Sequence, residues 1–216
     1  MKHSLAFFVI GLALMAFKSG AAEDQSWTSM FNGRDLTGWK SNDEKPGVFT
    51  VDDGVLKVSG GRAHLFYVGP RGDANFRNFE FKAKVQTTPG ANSGIYFHTD
   101  FQAKGWPSKG FEAQVNTSAR DRKKTGGLYA VQDVIDQAPS KDNEWFDYSI
   151  IVQGRRVVIQ INGRTTADWI QPADWDPARK LRNMPGRKLG EGTIALQGHD
   201  SKSTVYYKDL FIRPLP

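Results

Sequence analysis

From Val48 to the C-terminus the chain is written in short apolar–polar alternations, each closed by glycine, asparagine or proline. VFTVDDGVLKV (48–58) sets two such runs around Asp52-Asp53-Gly54, a hairpin signature. HLFYV (64–68), FEFKAKVQ (79–86), SGIYFHT (93–99), GFEAQVN (110–116), GLYAVQDV (127–134) and WFDYSIIVQG (145–154) follow. RRVVIQING (155–163), TIALQG (193–198) and TVYYKDLFIR (204–213) complete the set. Period-two alternation puts successive side chains on opposite faces, which is a strand and not a helix. No segment sustains a 3.6-residue period. Many short strands with regular turn signals predict an all-β antiparallel sandwich or barrel. Neither an internal repeat nor a linker divides the chain. The one long irregular stretch, 168–192, carries Pro172, Pro177, Pro185 and two tryptophans. Segments of this kind in a compact β domain form lids or rims of sites.

The N-terminus reads differently. Lys2 and His3 precede an apolar run from Leu5 to Phe17, with small residues from Ser19 to Ala22. This is the order of a signal peptide, and the run is short for a membrane span. The expectation is cleavage of residues 1–22, a single domain over 23–216, and export to the periplasm or beyond, with no membrane span left after cleavage. Cysteine is absent, so neither a disulfide framework nor a lipidated cysteine is available. Cleavage removes Lys2 and Lys18 and no acids, leaving 27 basic against 23 acidic residues, a mild +4. Part of that charge sits in one run, ARDRKK (119–124), which reads as a solvated loop. No nucleic-acid footprint accompanies it. Six Trp and six Tyr suit a ligand with ring faces, because a pyranose C–H face packs on an aromatic ring.

GFEAQVN is the most informative strand. Phe111, Ala113 and Val115 share one face, while Glu112, Gln114 and Asn116 share the other. A carboxylate and two amides in a row are unusual on a solvent-facing strand. The same pattern recurs: Tyr96 and His98 oppose Ile95 and Phe97; Gln197 and His199 oppose Ile194 and Leu196. In GLYAVQDV, Tyr129 and Asp133 fall on one face. Side by side, these strands would make one surface of imidazoles, glutamines, phenols and a carboxylate, the composition of a carbohydrate cleft.

FNGRDLTGW (31–39), NSGIYFHT (92–99), GFEAQVN with KTGGLY (124–129), EWFDYSIIVQG with INGR (161–164), and GTIALQGHD with VYYKDLFIRPL resemble the 3-keto-disaccharide hydrolase family. The resemblance covers nearly all of residues 27–216, with the motifs in order. It implies a concanavalin A-like jelly-roll of two curved antiparallel sheets, with the site on the concave one. By position, the family's acidic strand residue falls on Glu112, followed by Gln114. Many members carry Asp where Asn116 stands and Arg where His98 stands. The resemblance implies a carbohydrate substrate and glycoside cleavage.

Ordinary glycoside hydrolysis needs two flanking carboxyl groups. Beside Glu112, the second would come from Asp100, Asp121, Asp133 or Asp200. A 3-keto sugar needs less: the ketone acidifies the C2 proton, a base removes it, the glycosidic oxygen leaves from C1, and water adds afterwards. Glu112, His98 and His199 are the catalytic candidates for this. Gln114, Tyr96, Asn116, Tyr129, Gln197 and Lys124 are the candidates for holding substrate. The His/Glu/His trio also allows a divalent cation, although no HxH or HExxH spacing occurs. The competing function is a non-catalytic carbohydrate-binding module, since lectins share this fold.

Overall fold

A computed structural model describes residues 26–42 and 44–216. The expected signal peptide, 1–22, lies outside the described residues. Among the described residues fifteen strands follow one another: β1 (Thr28–Ser29), β2 (Trp39–Ser41), β3 (Phe49–Asp52), β4 (Val55–Ser59), β5 (Ala63–Tyr67), β6 (Phe79–Thr87), β7 (Asn92–Thr99) and β8 (Phe111–Asn116). Then come β9 (Lys123–Leu128), β10 (Gln132–Ile135), β11 (Phe146–Gln153), β12 (Arg156–Ile161), β13 (Arg164–Ile170), β14 (Thr193–Gly198) and β15 (Thr204–Pro214). A four-residue helix, α1 (Pro177–Lys180), sits between β13 and β14. Among the described residues no helix is long and apolar enough to cross a membrane.

Two antiparallel sheets stack as a jelly-roll sandwich. One runs β13-β12-β11-β6-β15-β4-β3, with β1 added on β15; the other runs β10-β9-β8-β7-β14-β5-β2. Turn chemistry sets the register. Asp53 and Gly54 both take positive φ between β3 and β4, as do Asn162 and Gly163 between β12 and β13. Two successive positive φ values match the twist of the flanking strands, and Asp, Asn and Gly reach them at least cost.

Alternation builds the core. Phe79, Phe81, Ala83 and Val85 of β6 face Ile95, Phe97, Phe111, Ala113, Val115, Ile194 and Leu196 of the second sheet in one apolar cluster. Each buried large aliphatic or phenyl group contributes about 1.5–3 kcal/mol. Two phenols are admitted because each finds a partner: Tyr148 Oη donates to Gln114 O at 2.9 Å, and Tyr207 Oη pairs with Ser93 Oγ at 3.1 Å.

Two expectations need correction. GLYAVQDV is not one strand but the end of β9, a turn, and β10. Ala130 takes φ +63° there, and Asp133 accepts a hydrogen bond from its backbone N–H at 2.8 Å. Tyr129 and Asp133 therefore do not share a strand face. The stretch 164–170, partly assigned to the irregular segment, is strand β13, extending the sheet beyond β12.

Candidate active site

The outer face of the second sheet is assembled row by row. Glu112 on β8 pairs with Tyr96 on β7, which pairs with Ala195 on β14, which pairs with Phe66 on β5. One row along, Gln114 pairs with Gly94, and Gln197 with His64. Gly94 supplies no side chain, and the Glu112 carboxylate lies over the gap it leaves. From there Glu112 Oε1 accepts a 2.8 Å hydrogen bond from Gln197 Nε2.

This face is polar and yet buried: Glu112 is 5 % exposed, Gln114 2 % and Tyr96 2 %. Two loops cover it. Residues 100–110 come over from β7, and residues 181–192 come from the irregular segment. They meet through Gly110 N donating to Gly186 O at 3.0 Å, where a Cβ on Gly186 would overlap Ser108 O. The second loop carries Arg187. Trp175 Nε1 donates to Arg187 O at 2.7 Å, and Leu189 N donates to Gln171 Oε1 at 2.8 Å. Trp175 in turn lies edge-on to Trp169, which packs on Phe111 of the core. So anchored, the Arg187 guanidinium reaches Glu112 Oε2 at 3.3 Å and Gly110 O at 3.2 Å, over the Tyr96 ring.

Between the loops and the sheet lies a cavity of about 500 Å³, floored by Glu112, Gln114 and Gln197 and walled by Trp106, Tyr129 and His199. Asn92 orders its far side. Gln114 Nε2 donates to Asn92 Oδ1 at 3.0 Å, and Asn92 Nδ2 donates to His199 Nε2 at 3.2 Å. His199 Nδ1–H donates to Asp200 Oδ2 at 2.8 Å. These partners fix the neutral tautomer, with the Nε2 lone pair on the cavity side.

Burial pushes the Glu112 carboxyl up, against the opposing pull of Arg187 and of hydrogen bonds from Tyr96 and Gln197. Burial likewise holds the Tyr96 phenol well above its ordinary value, so it stays a neutral donor. Asp200 moves the other way. Partial burial raises it, but hydrogen bonds from His199, Lys202 N and Ser203 outweigh that and leave it lowered. A buried carboxyl of raised pKa beside a carboxylate-held imidazole is an arrangement suited to proton transfer.

Six of the nine sequence candidates line this cavity: Glu112, Gln114, Tyr96, Tyr129, Gln197 and His199. Three do not. His98 is the main correction. It takes φ +53°, which breaks the alternation of β7, and the register against β14 shifts alongside it. Its ring packs on Phe79 and Phe97 instead. There Nε2–H donates to Arg77 O at 2.8 Å, and Nδ1 accepts from Gly190 N at 3.2 Å. His98 pins the loop that carries Arg187. Asn116 is wholly buried and ties the 117–123 turn through Asp121 O and Lys123 O. Lys124 donates to Ala119 O in the same turn at 2.7 Å. Both serve the ARDRKK loop rather than the cavity.

The His/Glu/His trio that would allow a divalent cation does not converge, since His98 points away. Among the described residues no cluster of three or more His, Asp or Glu side chains is placed to hold a metal ion. Of the carboxyls considered as partners for Glu112, Asp100 pairs with Lys109 and Asp133 closes its turn, while Asp121 lines the cavity rim. Asp200 enters through His199. Sequence reasoning missed Arg187, Asn92 and Trp106. The signal for Arg187 was its place in the proline-rich segment already marked as a rim.

A family model described as the 3-keto-alpha-glucoside-1,2-lyase-like domain matches residues 26–213. A 3-keto-disaccharide hydrolase of Bacteroides thetaiotaomicron is 22% identical over 229 residues, covering 88% of this chain and 78% of that protein. A solved candidate glycosyl hydrolase of Parabacteroides distasonis superposes with a TM-score of 0.73 at 25% identity, over 88% of this chain and 94% of that one. The carbohydrate-binding module CBM66 of Bacillus subtilis shares the fold at a TM-score of 0.53 and 14% identity, over 82% and 96%.

Proposed function

The chain belongs to the 3-keto-alpha-glucoside-1,2-lyase-like domain family, and on that premise we propose that it is an exported enzyme cleaving the glycosidic bond of 3-keto-glycosides by elimination and hydration. The observation that carries this reading is the buried Glu112, ringed by Arg187, Tyr96 and Gln197, in one cavity with the Asp200-held His199.

In the proposed cycle Glu112 takes the C2 proton, made acidic by the adjacent C3 ketone. Arg187, Tyr96 and Gln197 are donors that remain in place while negative charge develops on the C3 oxygen. The C1–O bond breaks, and the leaving oxygen takes that proton from Glu112. In hydration the neutral His199 takes a proton from water at Nε2 as the water oxygen adds to C1, and the imidazolium so formed gives that proton to C2. Both groups end as they began. Asp200 orients the imidazole through Nδ1 and lies beside the positive charge that forms on the ring during turnover. The cycle uses one carboxyl and one imidazole, so it needs no pair of flanking carboxyls of the kind ordinary glycosidases employ.

Glu112→Gln tests the reading against a 3-keto-disaccharide. It keeps the side chain's size and removes proton transfer, a contribution of roughly 10²–10⁴-fold. Turnover should fall by that order while binding of the unoxidised disaccharide survives. Parallel loss of affinity, with no turnover in the wild type, would instead favour a carbohydrate-binding module. Export is tested by mass spectrometry of the secreted protein, expected to begin at Glu23.

A further inference from the structure

Among the described residues, six buried side-chain atoms have no hydrogen-bond partner, and five of them gather at the cleft. Gln114 Oε1, Gln197 Oε1 and Arg187 Nε belong to residues that line the cavity. The other two are both ring nitrogens of His64. A buried polar group left without a partner is destabilising, so a wholly buried imidazole with neither nitrogen satisfied calls for a reason.

His64 lies on β5 directly across from Gln197 of β14, and cross-strand partners project from the same face of a sheet. It therefore points to the cleft side, although it does not line the open cavity. Its walls are Tyr96, at 5.6 Å between ring centroids, and Phe66 at 6.3 Å. Its roof is Trp106, at 5.5 Å, whose indole also rests on His199 at 5.3 Å. Trp106 itself is 41 % exposed. Its loop is braced from within: Gln102 donates to Lys104 O and Trp106 O and accepts from Ser108 N. The side chain covering His64 is thus held by ring contacts and a cation–π contact with Arg62.

We propose that His64 is a substrate-binding residue of this cleft, uncovered when Trp106 moves aside to admit a polyhydroxylated ring. Burial keeps the imidazole neutral, and a neutral imidazole offers one donor and one acceptor. A sugar hydroxyl offers the same pair, so one hydroxyl satisfies a nitrogen that the protein leaves bare. The displaced indole then packs on a ring face of the ligand. This inference rests on the carbohydrate reading above.

The test uses His64→Phe, which keeps the ring's packing and removes both orphan nitrogens, with His64→Gln as a second variant. The probe is the unoxidised disaccharide, titrated calorimetrically, alongside thermal unfolding. His64→Phe should unfold at the same or a higher temperature than wild type and bind the disaccharide roughly tenfold more weakly, the loss of one hydrogen bond. His64→Gln, still a donor and acceptor, should recover part of that affinity. Trp106→Ala should speed carbethoxylation of His64 by diethylpyrocarbonate, read by mass spectrometry, and the disaccharide should slow it again. If the wild type binds disaccharide and His64→Phe binds it equally well, the inference is overturned while the carbohydrate reading stands. If the wild type binds none, both fall.

Discussion

Gly94 lies directly beneath Glu112, and a Cβ placed on it would come within 2.8 Å of Glu112 Cγ and closer still to the carboxylate. The two residues sit on neighbouring strands one row apart, Glu112 opposite Tyr96 and Gly94 opposite Gln114. The missing side chain is what lets the carboxylate lie flat and reach Gln197 and Arg187.

Gly94→Ala should therefore act on the site more than on the fold. The methyl group would push Glu112 off its donors, at an overpacking cost of about 1–3 kcal/mol. The expected result is a modestly lower melting temperature with turnover of a 3-keto-disaccharide reduced at least about tenfold, a displacement worth ~1.4 kcal/mol in the transition state. Wild-type turnover in this variant would show that the carboxylate position is not critical.

The Glu112–Arg187 pair is almost closed to water, with side-chain exposures of 7 % and 6 %. Removing one partner from a buried pair leaves the other uncompensated, at about 3–5 kcal/mol. Arg187→Met should be destabilised on that scale in chemical denaturation. Adding Glu112→Gln to it should restore part of the loss, because the neutral amide needs no counter-charge. An additive double variant would mean that the two groups are not energetically coupled.

Much of this fold was legible because strand alternation and turn residues are local. Asp52-Asp53-Gly54 and Asn162-Gly163 fall where their backbone angles require them, and Phe111, Ala113 and Val115 face the core as their spacing dictates. The cleft was legible for the same reason up to the point where alternation fails. At His98 a positive φ and a register shift turn the side chain away, and nothing in NSGIYFHT signals either. Ala130 fails likewise, since alanine gives no warning of φ +63°. Arg187 and Trp106 were hidden for a different reason: loop residues have no period, so only tertiary contacts such as Trp175 to Arg187 O assign their direction.

Acid should loosen the protein through two buried imidazoles. Burial pushes His64 down from 6.5 to about 4, with Glu44 opposing and Arg62 and His199 reinforcing the shift. Burial also lowers His98, against its hydrogen bond to Arg77 O; the charges of Lys109 and Arg77 reinforce the shift and that of Glu191 opposes it. A depressed folded-state value means that the unfolded chain binds the proton first. Stability is thus fully present above pH 6.5 and lost as pH falls toward the folded values, by about 3 kcal/mol for His64 alone. Melting temperatures measured from pH 7.5 down to 4.5 should fall, and His64→Phe should flatten the slope. An unchanged slope in that variant would remove His64 from the account.

Asp200→Asn isolates the orienting role of the carboxylate behind His199. Asp200 Oδ1 accepts from Lys202 N and Ser203 N, and an asparagine oxygen can keep both bonds, so the turn should hold. The amide nitrogen that replaces Oδ2 cannot accept from His199 Nδ1–H, which frees the imidazole to take the other tautomer. Turnover should drop by ~10²-fold or more, with affinity for the unoxidised disaccharide held, because the charge that forms on the ring in turnover has lost its partner. A structural residue would instead lower stability and affinity together. A rate matching wild type would mean that His199 does not need Asp200 to move its proton.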